Sequence, residues 1–152
     1  MFYISHRGNI HGPNKRNENK VEYIENASNQ GFDVEIDVWY YKNNFYLGHD
    51  KPLYKVKKSF LLRKNFWCHA KNLDALVNLE KIKSNYFWHQ NDDYTITSKG
   101  YIWAYPGKKL NKNAIYVLPE WCKKFDTTLK YCGVCSDYIE KYRKKILTLK
   151  KK

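Results

Sequence analysis

The chain has no stretch near the roughly 18 consecutive apolar residues that a membrane span requires. Its amino terminus, "MFYISHRGN", also lacks a basic region leading into an apolar core. The expectation is a cytoplasmic protein without a transmembrane segment. No Pro-, Gly- or Ser-rich linker and no internal repeat interrupts the 152 residues, so one domain over residues 1–148 is expected, followed by a basic tail at 149–152. Cysteine is sparse. Among four thiols only Cys132-x-x-Cys135 forms a close pair, and no second such pair or His-x₃-His completes a zinc site, so reduced, packed thiols are expected. Acidic residues are also few, 15 against 28 Lys and Arg, giving a net charge of +13. That excess draws anions of any kind, whether nucleic acid, an acidic membrane face or a soluble phosphate compound, and does not choose among them.

What the chain does have is large core-forming side chains: 43% of its residues are hydrophobic and 17% aromatic, too many for a disordered polymer. "FYIS" reads as a strand that stops at the polar loop "HRGNIHGPNKRNEN". Asn19 offers an N-cap with Glu22 three residues on, and Val21, Ile24 and Ala27 recur at helical spacing until Gly31. This predicts a helix from about Lys20 to Asn29. From Phe32 to Tyr41 the period becomes two, with Val34, Ile36 and Val38 on one side and Glu35, Asp37 and Trp39 on the other. "NN" then turns the chain into "FYLG".

Further on, "NFWCHAKN", "NYFWHQND", "GYIWAYPG", "AIYVLPE" and "YCGVCSD" read as strands. "LDALVNLEKI" reads as a helix with Leu73, Leu76, Val77 and Leu79 or Glu80 on its buried side. Asp137 and Glu140 read as a capping box for a final helix. The alternation implies an α/β barrel or an open α/β sheet.

Residues i and i+2 of a strand share a face about 6.5 to 7 Å apart, so Glu35 and Asp37 can reach one point. Their mutual repulsion would be relieved by a hard divalent cation. Other polar groups stand at strand ends: His6-Arg7 after the first strand, His49 after the return strand, His69 and Lys71 on the third, and His89-Gln90 on the fourth. Trp39 and Trp103 read as core rather than as a platform for a substrate, and His11 as loop.

"HRG", the pair Glu18-Asn19, "GFDVEIDV" and "LGHD", in this order and spacing, resemble the amino-terminal signature of glycerophosphodiester phosphodiesterases and the wider phospholipase C-like phosphodiesterases. The match runs from His6 to Asp50 and is faint beyond it. The resemblance implies a compact TIM-type (β/α) barrel that cleaves a small phosphodiester. For a chain this short it would have trimmed or missing helices and fewer than eight strands. Carried over residue by residue, it makes His6 and His49 the acid/base pair, Arg7 a phosphate contact, and Glu35 and Asp37 ligands of a divalent cation (Mg²⁺, Mn²⁺ or Ca²⁺). A substrate hydroxyl that attacks phosphorus would give a cyclic phosphate.

The residue types suit that chemistry. An imidazole with a pKa near 6.5 both takes and gives a proton at neutral pH, Arg7 can grip two phosphate oxygens, and Lys71 can neutralise developing charge. One departure stands out: where the family's third strand carries an acid two residues before lysine, this chain has "HAK", which puts His69 in the third ligand position and shifts preference from Ca²⁺ toward Mn²⁺ or a similar ion. Two other readings keep the same residues. One is a lipid phosphodiester as substrate, and the other a catalytically inactive barrel that holds nucleic acid or another polyanion.

Overall fold

The computed structural model describes residues 1–151. Ten strands form one mixed sheet: β1 (Phe2–His6), β2 (Asp33–Tyr41), β3 (Asn44–Leu47), β4 (Tyr54–Val56), β5 (Phe66–Ala70), β6 (Tyr86–Trp88), β7 (Tyr94–Ile96), β8 (Ile102–Ala104), β9 (Ala114–Val117) and β10 (Gly133–Ser136). Four helices accompany them: α1 (Val21–Asn29), the single turn α2 (Lys58–Leu61), α3 (Leu73–Lys81) and α4 (Ile139–Leu149). Parallel pairings run β6-β5-β2-β1-β10-β9-β8. β7 lies antiparallel on β8, and the β3-β4 hairpin extends from the carboxyl half of β2.

The expected TIM-type barrel does not form. The sheet curls enough for Phe87 of β6 to stack on Trp103 of β8, with ring centroids 4.4 Å apart. No strand pairing joins β6 to β7 or β8 among the described residues, and Ser98, hydrogen-bonded to Tyr86, is the bridge across that gap. Strands and helices also fail to alternate. The connection between β8 and β9, residues 105–113, holds Pro106 and Gly107 and no apolar repeat. The connection between β9 and β10, residues 118–132, forms one 3₁₀ turn at Pro119–Trp121. A crossover helix needs about ten or more residues with an apolar stripe, and these segments lack one. With ten strands, the expectation of fewer than eight fails as well.

Two apolar layers sandwich the sheet. On one side Val34, Ile36 and Val38 of β2 pack with Ile24 and Ala27 of α1, Leu79 of α3, and Ile139 and Ile146 of α4. On the concave side Ile4, Trp67, Phe87, Trp103, Ile115 and Cys135 form a smaller core. Each large side chain buried here contributes roughly 1.5–3 kcal/mol from apolar transfer. Leu73 and Val77 are exposed on α3, with Ala75 and Leu79 inward, so the buried face is rotated from the expected one. No described helix is long and apolar enough to cross a membrane.

Candidate active site

The parallel register sets the site. His6 lies beside Glu35 across β1 and β2, and Asp37 lies beside His69 across β2 and β5. Neighbours in parallel register share a sheet face, so these four side chains emerge together at the carboxyl ends of three strands. Asp37 is fully buried, Glu35 nearly so, and both lie on the concave side, opposite the valines and isoleucine of the same strand.

Backbone strain directs the next side chain. Arg7 stands at φ 55°, a left-handed conformation unusual for a residue with a Cβ, and is held by bonds from its N–H to Glu35 O (2.9 Å) and from Asn19 N–H to its carbonyl (3.1 Å). Gly8 follows at φ 91°, where a Cβ would meet the Tyr23 ring at 2.7 Å. Its motif partner Gly48 has φ 148°, and a Cβ there would sit 2.2 Å from Lys51 O. Neither motif glycine has room for a side chain.

The charges interlock. Arg7 Nε lies 2.9 Å from Asp37 Oδ2 as a charge contact not aligned for a hydrogen bond, and Arg7 Nη1 donates to Glu18 Oε2 at 3.3 Å. Lys71 Nζ approaches Asp37 Oδ1 at 3.4 Å. Asn19, expected to cap α1, instead clamps Asp37: its Nδ2 donates to Asp37 Oδ2 and its Oδ1 accepts the Asp37 N–H, both at 2.9 Å. Lys20 takes the cap position with no side-chain capping bond. Burial opposes ionisation of Asp37, but the close approach of His69 and the charges of Arg7, His69 and Lys71 outweigh it and hold the carboxyl far below the ordinary range.

His69 donates Nε2–H to His89 O at 3.0 Å and turns Nδ1 toward Asp37 Oδ1 (3.2 Å) and Glu35 Oε1 (3.7 Å). Burial works against a charged ring, yet the two carboxylates prevail and push its pKa up to about 9. Glu35, Asp37 and His69 each offer a ligand atom within 4.8 Å of the others, about the span of donors around one cation. The fit to a cation is supported by Glu35 Oε2 and Asp37 Oδ1, which are buried without a hydrogen-bond partner. One imidazole nitrogen with two carboxylates suits a borderline ion such as Mn²⁺, and the bond from Nε2–H to a carbonyl is the support that orients a ligating histidine.

His6 donates Nδ1–H to Asp137 Oδ1 at 2.7 Å, leaving Nε2 toward the cleft, 3.9 Å from Glu35 Oε2. Burial disfavours the charged ring, but the Asp137 bond and the Glu35 charge raise its pKa overall. Asp137 receives Asn9 Nδ2–H at 2.8 Å, its own N–H binds Glu120 Oε1 at 2.8 Å, and Glu120 also accepts from Ser136. Burial opposes its charge, and the bond from His6 lowers its pKa overall. Asp137 was read as half of a capping box, but Tyr138 is the cap residue of α4, without a side-chain bond.

His49 enters from the loop after β3 and donates Nδ1–H to Asp50 Oδ1 at 2.6 Å. A cavity of about 370 Å³ is lined by His6, Arg7, Glu35, His49, His69 and Lys71. A neighbouring one of about 720 Å³ shares His6, Arg7 and His49. Asp37 lies beneath, so all seven expected site residues converge. No family model, curated protein or solved structure matches this chain.

The residues that sequence reasoning missed are Asp137, Asn9 and Glu120, while Asn19 was quoted without this role. For Asn19 and Asp137 the signal was ambiguous because Asn and Asp beside a helix start read first as caps, whereas Asn9 and Glu120 lie outside the strands and α-helices, where no periodicity places a side chain. The four cysteines are free, and none lines these cavities.

Proposed function

We propose that the protein is a phosphodiesterase of the glycerophosphodiester type, cleaving a small phosphodiester by acid-base catalysis. The observation that carries the reading is the convergence of two histidines, an arginine, a lysine and a carboxylate-histidine cluster on one cavity. It rests on side chains and not on barrel closure. A cytoplasmic setting belongs to the same reading and is supported by the free thiols.

In this reading His6 is the base. Asp137 holds its Nδ1 proton, so the Nε2 lone pair is free to take a proton from the attacking hydroxyl. His49, whose Nδ1 proton is held by Asp50, gives its Nε2 proton to the leaving oxygen. Arg7 and Lys71 bind and orient the phosphate oxygens, already drawn to one side by Asp37. A divalent cation held by Glu35, Asp37 and His69 would stabilise charge on a phosphoryl oxygen.

The test is hydrolysis of bis-p-nitrophenyl phosphate with Mn²⁺, Mg²⁺ or Ca²⁺ supplied. His6→Ala and His49→Ala are each expected to lose roughly 10²- to 10⁴-fold. Full activity in either variant overturns the pair. Absence of turnover together with steeply salt-dependent binding of RNA would favour the non-catalytic polyanion reading instead.

A further inference from the structure

The cavity beside the phosphate-binding residues has an aromatic wall that the acid-base chemistry leaves unused. Moving outward from the carboxylates, His69 pairs with His89 (centroids 6.3 Å) and His89 with Tyr105 (5.9 Å). Tyr105 is half exposed at the rim. The same cavity is also lined by Trp121, 63% exposed, the most solvent-accessible of the aromatic residues there. Its position is held at a cost. Leu118 adopts φ 43° to start the 3₁₀ turn that carries it, and Glu120 of that turn is tied to Ser136 and Asp137. Nδ1 of His89 is shielded from solvent and has no hydrogen-bond partner among the described residues. A strained turn presenting an exposed indole to the cavity that Tyr105 also lines is a poor arrangement for an empty surface.

We propose that this wall binds a nucleobase, so that the phosphodiester taken by the site is a nucleotide derivative, its base held at Tyr105 and Trp121. The inference rests on the phosphodiester reading above and names its substrate class. Two observations favour a base over the other group that aromatic walls hold, a quaternary ammonium. The phosphate-binding Arg7 and Lys71 line the same cavity, and the chain carries +13 overall, so a ligand of net negative charge is favoured over a cationic one. The volume of about 370 Å³ suits a mononucleotide-sized ligand.

Adenosine 5′-monophosphate and ribose 5-phosphate carry the same charged group and sugar and differ by the base, so their affinities, measured by calorimetry, isolate the wall. The monophosphate is expected to bind about 10-fold tighter, the scale of stacking on one base. Trp121→Ala combined with Tyr105→Ala should cut that preference to within about twofold and leave ribose 5-phosphate unchanged. Trp121→Phe should keep most of it. Both rings are well exposed, so their truncation leaves the core packed. Equal affinity of the two ligands for the unaltered protein, or a preference that survives the double variant, overturns the proposal.

Catalysis separates the two readings. Base-dependent binding with no turnover of any phosphodiester breaks the hydrolase reading and leaves the base site standing. Turnover of glycerophosphocholine as fast as that of the p-nitrophenyl ester of thymidine 5′-monophosphate leaves the hydrolase reading and overturns the base site.

Discussion

His6 and His49 each donate Nδ1–H to an aspartate, at 2.7 and 2.6 Å, and the resemblance in length hides a difference in construction. The His6–Asp137 side chains are 12% and 10% exposed, those of His49–Asp50 44% and 88%. Asp137 is tied to Asn9 and Glu120 and comes from the far end of the chain. Asp50 is the next residue to its histidine and touches solvent. One wall of the cleft is built on strands β1, β2, β5 and β10, with buried charges that constrain one another, and the other on a loop. A buried, multiply bonded pair has its geometry set before substrate arrives, whereas an exposed pair gains little from its own contact. In the proposed reaction the base would thus be preorganised, and the acid would be left for the ligand to position.

If buried charge holds the strand-borne wall, the largest effect should come from pH. The pKa of His69 in the folded protein, about 9, lies above the unfolded value near 6.5. Its stabilisation is therefore full below pH 6.5 and lost as pH rises through 9. Urea unfolding of chelator-treated protein should show a decline on the order of 3 kcal/mol over that window. The decline should be markedly smaller in His69→Gln, where only the raised pKa of His6 remains of the two histidines, and an identical decline in that variant would break the comparison.

Next in size, Asn19→Ala removes both bonds to Asp37, one to its buried carboxylate and one from its backbone N–H, and should cost about 2–3 kcal/mol in the same assay, against about 0.5 kcal/mol or less for Asp50→Ala on the loop-borne wall. Equal losses would erase the distinction. For activity, Asp137→Asn should lower kcat/KM roughly 10- to 100-fold. Because Asp137 raises the His6 pKa, the limb of the pH–rate profile that reports His6 should move to lower pH. Asp50→Asn should lower kcat/KM about fivefold or less, as expected of an exposed pair. A larger loss at Asp50 than at Asp137 would invert the account.

The site was legible in the sequence where the chemistry follows strand periodicity. Glu35 and Asp37 alternate with Val34, Ile36 and Val38, and "HAK" repeats the same spacing on the adjacent strand, so register alone gathers them. Asn19 and Asp137 were not legible because both stand beside helix starts with the residue types and spacing of caps. Each is drawn instead to a buried partner, Asp37 or His6, and the competing bond is one no local pattern reveals. The barrel expectation failed for a related reason. Strands were recognisable one at a time, but closure depends on whether the first and last can pair. Here β7 turns antiparallel, and the connections after β8 and β9 carry no crossover helix.

The central claim is that His6 and His49 act together on a phosphodiester at this cavity, and ³¹P NMR of a phosphodiester substrate incubated with protein and Mn²⁺ tests it most directly. Thymidine 5′-monophosphate p-nitrophenyl ester and glycerophosphocholine would be followed in parallel. The account predicts that at least one diester resonance gives way to a cyclic phosphate or a monoester at a rate that His6→Ala abolishes. Diester signals that persist unchanged, or that decay equally fast with His6→Ala, would contradict it.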